Sequence, residues 1–173
     1  MKYDLVNEIL KEHSKMQCDK IVARVGNSKV RFNELVSVFL KGPYRLTQRA
    51  AWPLSYCIQN HPHLIEPHLK TILTFASAKG AHVSVRRNIM RLLQFIDIPK
   101  KYHGLTVDLC FRFLVDKKEA VAVRVFAMTV LTNLAKEIPE LKQEIIPIIE
   151  DNLPYESAGF ISRGKKLLKV LRS

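Results

Sequence analysis

The chain has 173 residues, of which 47% are hydrophobic and 25% are charged, and its formal net charge is +12. This length suits a single domain with a core of its own, and no segment approaches the run of about 18 apolar residues that a membrane span requires. Asp4 and Glu8 interrupt the region that a signal peptide would keep apolar, so we expect neither secretion nor a membrane span. The excess of basic residues favours an acidic partner.

The first 42 residues predict three short helices. Apolar residues at helical spacing place them at Tyr3–His13, Lys15–Val25 and Lys29–Leu40. Gly26 suits the end of the second helix and Ser28 the start of the third. This segment lacks the repeated residues found further on, so we interpret residues 1–42 as N-terminal capping helices.

Helix pairs follow in residues 45–79, 82–116 and 119–154. In the first pair, Thr47 is predicted to cap a helix that contains Pro53, which should kink it. In the third pair, one apolar stripe is predicted from Val121, Val125, Phe126, Val130, Leu131 and Leu134. Residues 156–173 contain a last helix, Ala158–Arg172, which Ser157 is predicted to cap and which we expect to close the C-terminal end.

Two sets of residues recur with one period. Arginines recur at separations of 37, 38 and 39 residues, and prolines at 37 and 40; they are Arg49, Arg86, Arg124 and Arg163, and Pro62, Pro99 and Pro139. A helix pair repeated about every 40 residues is typical of HEAT and armadillo solenoids. The sequence therefore predicts an all-α protein, an α-α superhelix of the ARM/HEAT-like class, with about four repeats in a single domain of residues 1–173.

The recurring arginines have two interpretations. They either form a ladder that binds successive phosphates or acidic side chains, or bridge neighbouring repeats and cover apolar surface. Arg124 lies deep in an apolar helix, which favours the structural role for that residue.

Basic residues are concentrated in two regions. Residues 11–49 hold nine Lys and Arg against three acids, and the last helix holds five with no acid after Glu156, whereas residues 137–156 hold six acids and one lysine. Cations also suit the C-terminal end of a helix. The candidate partner- or phosphate-binding residues are Arg49, Arg87, Arg91, Lys165, Lys166 and Lys169.

Other side chains fit structural roles. Cys18, Cys57 and Cys110 are widely spaced among apolar residues, as expected for free thiols in a cytoplasmic protein. His61, His63 and His68 do not share a helix face, so no metal site is predicted. Trp52 and Tyr56 lie four residues apart, which suits either a core pair or a platform for a ligand.

No catalytic or cofactor-binding motif is present. The sequence has no glycine-rich phosphate loop, no GxSxG and no HExxH. We therefore predict a protein that is not an enzyme, without catalytic residues or cofactor.

Three segments carry a family resemblance. RAAWPLSYCIQNHPHLIEPHL at residues 49–69, DKKEAVAVRVFAMTVL at 116–131 and SAGFISRGKKLLKVL at 157–171 resemble a group of small bacterial HEAT-like proteins, some of which are labelled adenylosuccinate lyase. The chain lacks the Ser-Ser-x-Met-Pro-x-Lys-x-Asn loop of true lyases. Its repeat type and charge are also similar to those of HEAT-like alkylpurine DNA glycosylases, but it has no clear match to their catalytic Trp, Asp and Arg. The resemblance implies a helical solenoid and no catalytic residue.

Two functions are consistent with these features. The first is a scaffold or adaptor that binds a protein or peptide partner on its concave face. The alternative is a nucleic-acid-binding module in which Arg87, Arg91, Lys165, Lys166 and Lys169 contact phosphates.

Overall fold

The computed structural model describes residues 3–173, and this part of the chain is helical without a strand. The chain divides into two compact units, Met1–Asp97 and Ile98–Ser173, which are described separately. The division falls between the two helices of the predicted 82–116 repeat, and the arrangement of all repeats in one domain remains a prediction. None of the helices formed by residues 3–173 combines the length and apolar composition of a membrane span.

The first unit contains six α-helices and one 3-10 segment at Pro62–His68. The helices are α1 (Leu5–Lys11), α2 (Lys15–Val25), α3 (Lys29–Lys41), α4 (Tyr44–Asn60), α5 (Leu69–Ser77) and α6 (Val83–Leu93). Helix α4 packs against α1, α2, α3 and α6, so it is the centre of this unit. The core is formed by fully buried apolar side chains that include Phe32, Phe39, Leu54, Ile58 and Ile89.

Local signals account for most helix boundaries here. Ser14 and Ser28 accept hydrogen bonds from backbone N–H groups three residues ahead, which satisfies donors that lack a partner inside the helix. Gly26 ends α2 with φ of 51°, a conformation that favours glycine. The predicted bounds of α2 are confirmed, and those of α3 are confirmed to within one residue.

Two predictions about the first unit are wrong. Helix α4 begins at Tyr44 after Pro43, so Thr47 lies inside the helix, where its hydroxyl donates to the Gly42 carbonyl instead of capping. Proline has a backbone φ that suits a helix start, and the helix therefore begins earlier in the chain than predicted. The first helix is also shorter than predicted, and only its Leu5 and Ile9 are buried.

The second unit contains four α-helices: α7 (His103–Val115), α8 (Val121–Leu134), α9 (Leu141–Asn152) and α10 (Ala158–Arg172). Short 3-10 segments at Lys100–Tyr102 and Leu153–Tyr155 precede α7 and follow α9. Helix α8 packs against α7, α9 and α10.

Four of the six residues predicted to form the apolar stripe of α8 are buried, but the buried surface of this helix is wider than one stripe. Val121 is exposed and Phe126 is half-buried, whereas Val123, Ala127 and Met128 are fully buried. Because three helices surround α8, it buries side chains on most of its circumference, and a helix in that position needs no polar face.

Helix α10 has the predicted bounds. The Ser157 hydroxyl accepts a hydrogen bond from the Phe160 N–H, as the predicted cap requires. A Cβ atom at Gly164 would lie 3.0 Å from Ile149 Cγ2 and 3.1 Å from Leu153 Cδ2, so glycine allows α10 to approach α9 closely.

Candidate partner-binding cleft

One face of α6 is polar along its length. Ser84, Arg87, Asn88 and Arg91 are spaced at i, i+3, i+4 and i+7, which aligns them in one stripe on a helix. The remaining positions supply Val85, Ile89, Met90, Leu92 and Leu93 to the core. Burial of that apolar face fixes the rotation of α6 and keeps the polar stripe accessible.

This stripe forms one wall of a cleft of about 280 Å³. Gln48 and Trp52, four residues apart on α4, form the opposite wall, and His13 closes one side from the link between α1 and α2. All seven lining residues belong to the first unit. Three segments distant in sequence therefore present polar groups to one open space.

The cleft is rich in hydrogen-bond donors that the protein does not use. Within residues 3–173, the side chains of Gln48, Arg87, Asn88 and Arg91 form no ion pair or hydrogen bond, and the cleft is lined by no carboxylate. Arginine carries five N–H donors and no acceptor. The whole first unit has 15 Lys and Arg against seven Asp and Glu. The cleft is therefore suited to an anion.

Trp52 supplies the aromatic surface of the cleft. Its ring meets the ring of His13 edge to face, with centroids 5.1 Å apart, and its side chain is partly exposed. Tyr56, one turn further along α4, lies under the ammonium group of Lys15 at 4.9 Å. The two aromatics were predicted as a core pair or a ligand platform; neither is fully buried, and Trp52 faces the cleft.

A shallow depression adjoins the cleft and shares His13 and Trp52 with it. Glu12 and Arg49 are on its rim. Arg49 Nη1 donates to the Leu10 carbonyl at 2.7 Å, close to the end of α1, where helix carbonyls lack partners inside the helix. This contact gives Arg49 a structural task in addition to the binding role predicted for it.

Two other cavities differ from the cleft in their charged residues. A space of about 220 Å³ contains Arg24 and Arg31 but also Glu34, and Arg31 donates to the Arg24 carbonyl at 2.8 Å. In the second unit, a more open groove of about 360 Å³ has Lys136 and Lys142 beside an apolar wall. The first also has an aromatic ring, since the Arg24 guanidinium lies 5.0 Å from the centre of the Tyr3 ring, but a carboxylate lines it; the second has no arginine and no aromatic ring.

Comparison with protein families gave a match to the HEAT repeat domain over residues 5–169. The chain belongs to the HEAT repeat family. No curated protein and no solved structure gave a significant match. The family and the helical structure confirm the predicted all-α fold class of ARM/HEAT-like solenoids.

The recurring arginines of this HEAT repeat protein contact its own chain. Arg86 donates to the Ala81 carbonyl, and Arg163 Nη1 donates to the Thr129 hydroxyl at 2.8 Å. The structure therefore favours the structural interpretation of the arginine ladder, since Arg49 also donates to a carbonyl of a neighbouring helix.

Arg124 is the most deeply buried of these arginines, with 3% of its side chain exposed. Its Nη1 lies 2.6 Å from Glu156 Oε1, its Nε donates to the Leu114 carbonyl at 3.0 Å, and its guanidinium is 4.9 Å from the centre of the Phe160 ring. Arg124 thus joins the end of α7, helix α8 and the start of α10, and its predicted structural role agrees with these contacts.

The lysines of the last helix are exposed. Lys165, Lys166 and Lys169 lie on α10, which contributes Leu167, Leu168 and Leu171 to the core. Arg172 on the same helix pairs with Glu150. The candidate binding residues thus form two groups, with Arg49, Arg87 and Arg91 in the first unit and the three lysines in the second.

The histidines near residue 65 have separate environments. The rings of His61 and His63 lie 6.2 Å apart, whereas His68 Nε2 contacts Asn33 Oδ1 at 2.6 Å. Burial lowers the pKa of His68 below its usual value. Among residues 3–173, no three His, Cys, Asp or Glu side chains are grouped in a way that would hold a metal ion.

All three cysteines are free and buried. Burial raises the pKa of the Cys18 thiol to about 11 and that of Cys57 to about 12. The pKa of Cys110 is also raised by burial. Since the thiolate is the nucleophilic form, none of the three is suited to covalent catalysis.

Sequence analysis identified Arg87, Arg91 and Trp52 but not the rest of the cleft. His13, Gln48, Ser84 and Asn88 were missed because only the tertiary structure brings His13 and the α4 residues to α6. One signal was available: the stripe of four polar residues on α6 can be read from the sequence alone.

Proposed function

We propose that this HEAT repeat protein is a non-catalytic adaptor that binds an acidic segment of a partner protein in the cleft between α4 and α6. The observation that carries this proposal is the set of unused donors around Trp52, with two guanidinium groups and no carboxylate. The cleft is open, which suits a chain segment that enters and leaves it. Three buried, free cysteines support a cytoplasmic location.

Arginine beside tryptophan is a favourable combination for peptide binding. Guanidinium groups bind carboxylates through two parallel hydrogen bonds, and tryptophan and arginine are enriched among the residues that dominate binding energy. The neighbouring amides of Gln48 and Asn88 offer donors and acceptors to a peptide backbone.

Binding can be measured on the cleft itself, because Trp52 is the only tryptophan in the chain. We would titrate the protein with a short Glu-rich peptide and a Lys-rich control, and follow the fluorescence and the indole N–H resonance of Trp52. The Glu-rich peptide should change both signals and the Lys-rich peptide neither.

The matched variants are Arg87→Glu/Arg91→Glu and Lys165→Glu/Lys166→Glu. Both pairs change the net charge equally and replace accessible side chains, so both should stay folded by circular dichroism. Only the first should abolish binding of the Glu-rich peptide. If both pairs weakened binding equally, general charge attraction would explain it and the cleft would not be the site.

Nucleic acid is the second candidate, favoured by the three exposed lysines of α10 in addition to Arg87 and Arg91. The same titrations with single- and double-stranded DNA and RNA test it at two salt concentrations. If 6–10 phosphates are contacted, affinity should fall by about 10³–10⁵ between about 50 and 200 mM salt. This function also requires that K165E/K166E weaken binding, which the peptide function does not.

A further inference from the structure

The residues that line the cleft indicate which kind of anionic group it binds. We propose that it binds the phosphomonoester group of a phosphorylated segment of a partner protein, held by the guanidinium groups of Arg87 and Arg91. This inference rests on the proposed adaptor function and names the group that the cleft selects.

The first argument is the number of charges concentrated at one place. Arg87 and Arg91 are four residues apart on α6, a spacing that brings side chains on a helix within about 5–6 Å at Cβ. Like charges at this spacing repel, and in residues 3–173 no acid forms an ion pair with either. A phosphomonoester with a charge of about −1.5 to −2 balances both, whereas a carboxylate balances one.

The second argument is the number and kind of donors. Asn88 lies between the two arginines on the same stripe, and Gln48 faces them from α4. A phosphomonoester has three terminal oxygens, each able to accept more than one hydrogen bond, and arginine binds phosphate with two parallel bonds. No carboxylate lines the cleft to repel a dianion.

The third argument separates this group from the phosphates of nucleic acid. A nucleic acid backbone carries one charge per phosphate, spread along the strand, and is usually met by an extended row of cations. Here two arginines and two amides converge on one cleft of about 280 Å³. Recognition of a phosphorylated side chain by an arginine cluster is an established mode of peptide binding.

The experiment compares three peptide libraries with random flanking residues and a fixed central phosphoserine, glutamate or serine. Binding is followed through Trp52 fluorescence and fluorescence anisotropy of labelled peptides. We expect the phosphoserine library to bind at least about tenfold more tightly than the glutamate library, in line with the greater strength of charge-assisted, multidentate hydrogen bonds. The serine library should not bind measurably.

Two further experiments test whether the two arginines are the source of the selectivity for phosphoserine over glutamate. Arg87→Lys/Arg91→Lys keeps both charges but loses the paired donors, so it should reduce phosphoserine binding about tenfold and leave glutamate binding little changed. Inorganic phosphate at millimolar concentration should shift the indole resonance of Trp52 in the wild type and not in R87E/R91E. K165E/K166E is the charge-matched control and should behave as the wild type.

The possible results are distinct. Equal binding of the phosphoserine and glutamate libraries, or unchanged phosphoserine binding by R87K/R91K, would overturn the phosphate assignment and leave the acidic-segment function standing. Failure of both libraries would overturn both proposals. Single-stranded RNA that displaced the phosphopeptide at equal concentration would overturn the assignment in favour of nucleic acid.

Discussion

The buried ion pair between Arg124 and Glu156 gives a quantitative prediction for the second unit. Glu156→Gln keeps the size of the side chain and one acceptor oxygen but removes its charge. The guanidinium of Arg124, with 3% of its side chain exposed, would then keep the glutamine oxygen, the Leu114 carbonyl and the Phe160 ring as partners but would have no anion beside it.

Removal of one partner from a buried ion pair typically costs about 3–5 kcal/mol, because the remaining charge stays buried without compensation. We expect the lower end of this range, about 3 kcal/mol, because glutamine retains an oxygen that accepts from Arg124. For a chain of this length, such a loss corresponds to a decrease in Tm of about 6–12 °C.

The matched control is Glu150→Gln. Glu150 also pairs with an arginine, Arg172, but the two side chains are 42% and 58% exposed. Exposed pairs contribute about 0–1 kcal/mol, so E150Q should be close to the wild type. Comparison of the two variants isolates the effect of burial, since the chemical change is identical.

The assay is equilibrium urea denaturation followed by far-UV circular dichroism, because the only tryptophan lies in the first unit. A double-mutant cycle with Arg124→Met completes the test. Replacement of both partners removes the uncompensated charge, so Arg124→Met/Glu156→Gln should be more stable than the sum of the single losses implies. If E156Q and E150Q lowered the free energy of unfolding equally, the argument from burial would be refuted.

Three other outcomes follow from the described contacts. Gly164→Ala should be less stable than Gly159→Ala by about 1 kcal/mol in thermal unfolding, because both gain helix propensity but only the first places a Cβ atom against the side chains of Ile149 and Leu153. The pKa of His68 in the folded protein is below its usual 6.5, so the unfolded chain binds a proton there first as the pH drops through 6.5, and the free energy of unfolding should fall. His68→Gln should remove this contribution to the pH dependence of the free energy of unfolding, measured by urea denaturation. At pH 8, native Cys18 should react with iodoacetamide about 100-fold more slowly than in urea, because its pKa rises from 9.0 to about 11; equal rates measured by mass spectrometry would contradict its burial.

Sequence predicted the elements whose determinants are local. The bounds of α2 and α10 follow from a capping serine, an apolar period and, for α2, a terminal glycine, all within one short segment. The start of α4 was misplaced because two local signals compete there, Thr47 and Pro43, and their relative strength depends on the packing of the whole helix. The circumference that α8 buries could not be predicted, since it depends on three helices that surround it.

The cleft likewise combines residues that a local sequence pattern identifies with residues that only tertiary packing brings together. The polar stripe of Ser84, Arg87, Asn88 and Arg91 is a local pattern, and its two arginines were identified as basic residues on the outward face of the helix. The participation of His13 and Gln48 was not predictable, because residues distant in sequence meet only after α1, α2, α4 and α6 have packed.

The adjacent residues Arg86 and Arg87 show how the repeat and the cleft share one helix. Arg86 keeps the period of the ladder and donates to the Ala81 carbonyl. Arg87 lies about 100° further around α6 and lines the cleft. Among the recurring arginines, Arg49, Arg124 and Arg163 donate to groups of a neighbouring helix, whereas Arg86 donates to the link that precedes its own helix. Two residues that line the cleft stand beside ladder positions, Gln48 before Arg49 and Arg87 after Arg86, so the positions next to the period differ from it in the surface that they present.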